Sequence, residues 1–270
     1  MFKSITKNVG LAALGGALLV ASAASFAGIS TTKHNLGSNG TGDNSYSGTG
    51  EICVFCHTPH GADTGAPVPL WNRNLPTGTT YTTYDSLGTS SLDGTIISVG
   101  SVSLACLSCH DGGQAMDSII NAPGSGLAGD NTWQAGTWTG NDRPQGIANI
   151  GTDLRDDHPI GIQYGGGGVV QSTCTNDGAN CTATLGDADF FQPRMRVINT
   201  QPIWWVSTDG NNATREKTDI QLYTRSDAAA ANENEPFVEC ASCHDPHTDN
   251  TTFLRVVNTD SAVCLACHDK

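Results

Sequence analysis

Four copies of the pattern Cys-x-x-Cys-His dominate this chain of 270 residues. We call them motifs 1 to 4, at residues 53–57, 106–110, 240–244 and 264–268. Two thiols at this spacing can bond to the vinyl groups of a haem while the adjoining imidazole ligates its iron. A disulfide, a CxxC redox pair or a zinc site would each leave the histidine unexplained. The motifs predict four c-type haems, attached through Cys53, Cys56, Cys106, Cys109, Cys240, Cys243, Cys264 and Cys267.

The histidine count extends the prediction to the second axial position of each iron. The chain has eight histidines, of which four lie in the motifs as proximal ligands: His57, His110, His244 and His268. The remaining four are His34, His60, His158 and His247. Four spare histidines for four open positions predict that every iron is bis-His and low-spin. Met116 and Met195 compete less well, because Met116 follows motif 2 too closely and Met195 lies in a predicted strand.

The motifs alternate between two types along the chain. Motifs 1 and 3 continue as CxxCHxPH, whereas motifs 2 and 4 lie in the similar segments LACLSCHD and AVCLACHD. This alternation indicates a repeated dihaem unit. The second histidine of CHxPH cannot easily turn back onto its own iron. We therefore predict that His60 serves motif 2 and His247 serves motif 4, which leaves His34 for motif 1 and His158 for motif 3.

The N-terminus has the pattern of a secretory signal. Lys3 and Lys7 precede an apolar stretch at 9–20, and small residues follow up to Ala27. We predict a signal peptide over 1–27, with cleavage after Ala27 favoured over cleavage after Ala23. The apolar stretch is shorter than the roughly 18–20 residues that a membrane span needs. An exported protein with no membrane span is expected.

Composition predicts an irregular fold. Charged residues make up 14% of the chain and aromatic residues 6%, and there are 32 glycines, so the polypeptide alone would build a thin core. We predict mostly irregular coil wrapped around haems, with short α-helices at the CxxCH motifs and minor β-strands. The net charge of −13 argues against a nucleic-acid partner. It fits either basic partners or an acidic coat that keeps the protein soluble.

The chain after the signal is predicted to form a single tetrahaem domain, 28–270. It comprises a dihaem part at about 34–111, an insert at about 112–239 and a second dihaem part at about 240–269. Strands are predicted at 190–207, 218–225 and 251–257. A helix is predicted at 262–268, with Ser261 as its cap.

Two further groups of side chains have predicted roles. Cys174 and Cys181 flank a short polar turn and are predicted to form a disulfide, as suits an oxidising compartment. An aspartate directly follows three of the proximal histidines: Asp111, Asp245 and Asp269. These carboxylates are either hydrogen-bond partners near the iron sites or solvated turn residues.

Several segments together resemble a known family. They are TKHNL, EICVFCHTPHGA, PLWNR, LACLSCHDG, DDHPI, ECASCHDPH and CLACHD. They resemble exported bacterial multihaem c-type cytochromes, in particular the tetrahaem ones that polymerise into extracellular nanowire filaments in metal-reducing bacteria. The resemblance covers both haem-bearing ends and His158, but not the middle of the insert.

The resemblance implies electron transfer along bis-His haems to redox proteins or to extracellular acceptors such as metal oxides. It also implies that one axial histidine can come from the next subunit of a filament, and His34 on its polar arm is the predicted candidate. The alternatives are a soluble periplasmic electron shuttle and a multihaem reductase. A reductase needs an open iron position, which the histidine count disfavours, so no enzymatic activity is expected.

Overall fold

The computed structural model describes residues 28–124, 135–210, 214–227 and 234–270. Turns, bends and coil make up most of this part of the chain, with a few short helices and small antiparallel sheets. The predicted fold class is confirmed. The predicted signal peptide, 1–27, lies outside the described residues. No helix within the described ranges is long and apolar enough to cross a membrane.

Helical turns form at the motifs, as predicted. Motif 1 begins a 3-10 turn, Cys53–Phe55, and the three α-helices are α1 (Ser101–His110), α2 (Cys240–Cys243) and α3 (Ala262–Leu265). Residues three and four apart share one face of a helix, so each turn points two thiols and an imidazole to the same side.

The last helix differs from its prediction in two respects. Helix α3 ends at Leu265 rather than reaching His268. Ser261 occupies the N-cap position, but its side chain makes no capping hydrogen bond, and its backbone is left-handed with φ of 64°. Ser261 therefore lies at the predicted N-cap position, but its side chain does not cap the helix.

Seven short strands form three antiparallel sheets among the described residues. Strand β1 (Ser45–Tyr46) pairs with β2 (Trp138–Thr139), and β3 (Ile162–Gln163) pairs with β7 (Phe237–Val238). The third sheet has the order β4 (Arg194–Ile198), β5 (Gln201–Val206) and β6 (Ile220–Leu222). The strands predicted within 190–207 and 218–225 are confirmed.

The β4–β5 hairpin closes through a two-residue turn. Asn199 has φ of 50° and Thr200 has φ of 68°. Positive φ at both central residues is the mark of a type I′ turn, whose twist matches that of the flanking strands. Asparagine accepts this conformation readily, whereas a β-branched threonine is strained there.

The main apolar core lies in the insert and supports motif 4. Met195, Trp204, Val206 and Ile220 are almost fully buried in the three-stranded sheet, and half-buried residues of motif 4 such as Cys267 pack against this cluster. The insert therefore supplies the core that the haem-bearing segments lack. A disulfide joins Cys174 to Cys181 within it, with their Cα atoms 4.4 Å apart.

The predicted strand at 251–257 is wrong. Residues Thr251–Phe253 form a 3-10 turn, with positive φ at Thr252 (54°) and Phe253 (59°). This conformation turns the backbone carbonyls of both residues toward motif 3. The β-branched composition that suggested a strand is overridden by these contacts.

We expect the variant Thr200→Gly to stabilise the protein by up to about 1 kcal/mol, because glycine adopts positive φ without the strain of a side chain. Thermal unfolding of the haem-loaded protein measures the change. Thr218→Gly is the matched control, since Thr218 is exposed and has ordinary φ. There glycine should only lower stability, and equal effects at both sites would contradict the turn assignment.

Candidate functional site

Three of the four motif histidines are oriented by a backbone carbonyl. The Nδ1 atom of His57 lies 2.8 Å from the Pro69 oxygen. His110 Nδ1 lies 2.6 Å from the Ala148 oxygen, and His244 Nδ1 lies 2.8 Å from the Thr252 oxygen. A carbonyl can only accept, so Nδ1 carries the proton in each ring. The lone pair is then on Nε2, free to bind a metal.

Two pairs of imidazoles face each other at the same separation. The ring centres of His57 and His247 are 6.2 Å apart, and those of His34 and His110 are also 6.2 Å apart. A ligating imidazole nitrogen lies about 2 Å from its metal, so two rings on opposite sides of one ion have centres about 6 Å apart. The rings of the first pair are nearly parallel and those of the second nearly perpendicular. The spacing fits bis-His ligation of one iron by each pair.

His34 is held in place by its own chain. Its ring stacks on Phe253, with ring centres 4.0 Å apart. Its Nδ1 atom is buried beside the Pro246 carbonyl without a well-formed hydrogen bond to a described residue. Burial, with a smaller contribution from neighbouring His110, lowers the pKa of His34 to about 4. Burial also lowers the pKa of His110. Both rings are therefore neutral at pH 7, the form that a metal binds.

His158 lies near motif 4. Burial lowers the pKa of His268, and the nearby charge of His158 is the next largest cause. His268 also contacts the ring of Phe190, with centres 4.3 Å apart. The imidazole of His158 is exposed, and its Nδ1 lies 3.0 Å from the Pro159 oxygen.

His60 and His244 lie outside the two ring pairs and the neighbourhood of His158 and His268, although His244 is close enough to His34 and His110 to contribute to their lowered pKa values. Both are exposed, and no other described histidine lies against the ring of His60. The backbone carbonyl of His60 is fixed, since it accepts hydrogen bonds from Thr58 Oγ1 and Asn121 Nδ2.

The observed pairs differ from those predicted from the sequence. His34 lies against His110 rather than His57, and His247 lies against His57 rather than near motif 4. The repeat suggested that each CHxPH element serves the motif that follows it. Instead the chain folds motif 3 back onto motif 1, and Gly28, six residues before His34, donates a hydrogen bond to the His247 carbonyl. Contacts over such separations are not encoded in local spacing.

None of the eight motif cysteines is in a disulfide, and consecutive motifs lie side by side. Burial raises the pKa of Cys56 to about 12, with Cys109 of motif 2 as the next cause. A hydrogen bond with Cys240 of motif 3 raises the pKa of Cys106. Burial raises the pKa of Cys243 to about 11, and Cys264 of motif 4 contributes. The attachment points therefore follow one another in space in sequence order.

Segment 71–73 joins motif 1 to motif 2. Trp71 pairs with His57 through a backbone bridge, and the Asn72 amide donates to the Cys56 carbonyl at 2.9 Å. Arg73 is fully buried and binds motif 2, since its Nη2 donates to the Ser108 carbonyl at 3.0 Å. In the sequence, the single arginine of the PLWNR segment carries no signal for this role.

A buried ion pair joins motif 2 to motif 3. Arg225 Nη1 lies 2.7 Å from Glu239 Oε1, with side chains 1% and 0% exposed. The other Glu239 oxygen accepts from Ser103 of α1, and Ser103 Oγ accepts from the Cys240 amide at 3.0 Å. Gly100 permits this approach, because a Cβ there would lie 2.3 Å from Arg225 Nη2. A lone charged residue gives no sequence signal for such a pair.

The three aspartates near the motifs have different surroundings. Asp245 accepts from His247 Nδ1 at 3.1 Å, and this bond lowers the pKa of Asp245 to about 2 despite partial burial. Asp111 accepts from the Tyr81 hydroxyl at 2.9 Å, whereas Asp269 is exposed. Asp245 therefore orients a histidine and Asp111 a tyrosine, while Asp269 matches a solvated turn residue.

We expect Glu239→Gln to destabilise the haem-loaded protein by about 3 kcal/mol, because it leaves a buried guanidinium without its buried carboxylate. Denaturant unfolding measures the loss. Asp227→Asn is the matched control, since Asp227 binds the same arginine at 2.7 Å but is half exposed. That change should cost under about 1 kcal/mol. A larger loss at Asp227 would contradict the assigned importance of the buried pair.

Comparison with known proteins identifies the type of motif in the C-terminal part of the chain. Residues 232–270, which contain motifs 3 and 4, match the family described as the doubled CXXCH motif. No curated protein matches the chain. The matched segment is a c-type cytochrome-like haem-binding region, whose CXXCH motifs attach haem covalently.

Proposed function

We propose that this protein is an exported tetrahaem c-type cytochrome that transfers electrons and carries out no enzymatic reaction. The observation that carries the proposal is the 6.2 Å spacing in two histidine pairs, each with a motif histidine whose Nδ1 is already hydrogen-bonded. Each bound haem supplies a one-electron iron couple. Closing both axial positions leaves no room for a substrate at the iron.

The residues of the chain attach and orient the haems. We assign the axial pairs His57 with His247, His110 with His34, and His268 with His158. The neutral state of His34 and His110 and the hydrogen bond that His247 donates to Asp245 support these assignments. The adjacency of consecutive motif cysteines supports a haem order that follows the sequence, from motif 1 to motif 4.

One motif histidine, His244, then lacks a partner, and one spare histidine, His60, lacks an iron. Both are exposed. We propose that His60 of one subunit ligates the haem held by His244 of the next. Such a contact joins different surfaces of two copies, so it propagates head to tail into a filament rather than closing as a dimer. We place His34 in cis rather than in the trans role implied by the resemblance, because its half-buried ring stacks on Phe253 of its own chain.

The filament would carry electrons to extracellular acceptors such as metal oxides, or to redox proteins. The resemblance of the haem-bearing segments to filament-forming cytochromes supports this destination, as does the secretory pattern at 1–27. The net charge of −13 favours cationic partners over nucleic acid.

A soluble periplasmic shuttle is the alternative function. It is favoured if His60 reaches His244 within one chain, since every iron would then be closed without polymerisation. A reductase is supported only if one iron stays five-coordinate in the native protein.

We expect His60→Ala to abolish filaments and to convert one of four haems to high-spin, because the haem at motif 3 loses its ligand from the neighbouring subunit. Electron microscopy of the secreted protein and electron paramagnetic resonance of the oxidised protein measure the two effects. His158→Ala is the matched control: it also removes one ligand, but it should leave filaments intact.

Different results select the alternatives. Monomers of wild-type protein with four low-spin haems would contradict the filament and support the shuttle. A high-spin haem in the wild-type protein would support the reductase. Fewer than four haems per chain by pyridine haemochrome assay would contradict the tetrahaem assignment.

A further inference from the structure

Arg73 is a buried cation without a buried anion beside it. Its side chain is fully inaccessible, and it makes four hydrogen bonds, all to neutral oxygen atoms. They run from Nε to Ser108 Oγ at 3.3 Å, from Nη1 to the Met116 carbonyl at 2.8 Å, and from Nη2 to the Ser108 and Ala115 carbonyls at 3.0 and 2.8 Å. Among the described residues, no carboxylate forms an ion pair with it.

The place of Arg73 in the fold puts this charge between two haem attachment sites. Ser108 lies inside motif 2, and the neighbouring Asn72 binds two backbone carbonyls of motif 1, those of Val54 and Cys56. Four of the five N–H groups of Arg73 donate hydrogen bonds, and these bonds hold its side chain at the junction between motifs 1 and 2.

The junction between motifs 2 and 3 has the opposite balance of charge. Arg225 is equally buried, but it binds the carboxylates of Glu239 and Asp227, each at 2.7 Å. One cation and two anions therefore lie between motifs 2 and 3, where the first junction has one cation alone. Asp111, which directly follows motif 2, accepts a hydrogen bond from the Tyr81 hydroxyl and forms no ion pair with Arg73.

We propose that Arg73 is a tuning residue that raises the reduction potentials of the haems at motifs 1 and 2. Each haem takes up one electron on reduction, and a nearby fixed positive charge stabilises that added negative charge. Inside a protein the charge is screened far less than in water. The inference rests on the proposed electron-transfer function and adds a direction to it: electrons reside preferentially at the haems of motifs 1 and 2.

We expect Arg73→Gln to shift the reduction equilibrium of two haems about tenfold toward the oxidised form, a fall of about 59 mV for a one-electron couple. The two haems of motifs 3 and 4 should be nearly unchanged. A redox titration of the full tetrahaem protein gives the four midpoints, and haem methyl resonances in NMR spectra assign each midpoint to its motif.

Two variants separate charge from structure. Arg73→Lys keeps the positive charge but loses most of the hydrogen bonds, so it should restore the wild-type potentials while remaining less stable to thermal unfolding. Arg215→Gln removes an exposed arginine and should leave all four midpoints unchanged. Equal falls in Arg73→Gln and Arg73→Lys, or a uniform shift of all four haems, would overturn the proposal.

A second pair of variants tests the charge with Arg73 in place. Ala115 is half-buried and its carbonyl binds Arg73, so Ala115→Asp introduces an anion at the junction and Ala115→Asn is its neutral match. The aspartate variant should lower the same two midpoints relative to the asparagine variant, and equal midpoints would overturn the proposal. If wild-type protein lacked four reversible haems, the proposed function itself would fail; reversible haems with unmoved potentials would remove only the role of Arg73.

Discussion

Two buried guanidinium groups connect the haem-binding motifs, and the placement of the histidines depends on them. Arg73 binds the backbone of motif 2 from a segment that also binds motif 1, and Arg225 binds Glu239 at the start of motif 3. Buried polar groups must be paired, so these contacts specify one packing of otherwise irregular segments. Because little apolar core lies outside the insert, polar contacts fix the relative positions of the motifs. In most domains, side-chain packing does this.

The irregular backbone also follows from the needs of the imidazoles. A histidine that is to present Nε2 needs a carbonyl at Nδ1, and regular helices and sheets use their carbonyls internally. Pro69, Ala148 and Thr252 supply these oxygens from turns or coil. Positive φ at Thr252 and Phe253 is part of the same arrangement, because that turn contacts motif 3 while the Phe253 ring stacks on His34. Short turns are therefore functional near the motifs, because they leave these carbonyls free to bind the imidazoles.

Prediction from the sequence succeeded where interactions between residues close in the chain decide the structure. The i, i+3 and i+4 placement of two cysteines and a histidine predicts a helical turn, and β-branched and aromatic runs predict the strands of the insert. It failed at 251–257, where contacts with motif 3 override strand propensity, and at the histidine pairs, where the repeat suggested the wrong neighbours. It also gave no role to Arg73, because a single basic residue looks the same whether it is solvated or buried.

The sequence by itself determined the chemistry: eight thiols and eight imidazoles in a pattern that attaches haem, since covalent spacing is a local property. The tertiary structure decided which imidazoles face each other, because those pairs join residues far apart in the chain. It also decided where charge is buried without compensation, since that depends on which groups exclude water around a side chain. The proposed electron path depends on both. The motifs fix where the haems are attached, and the fold fixes the direction of electron transfer.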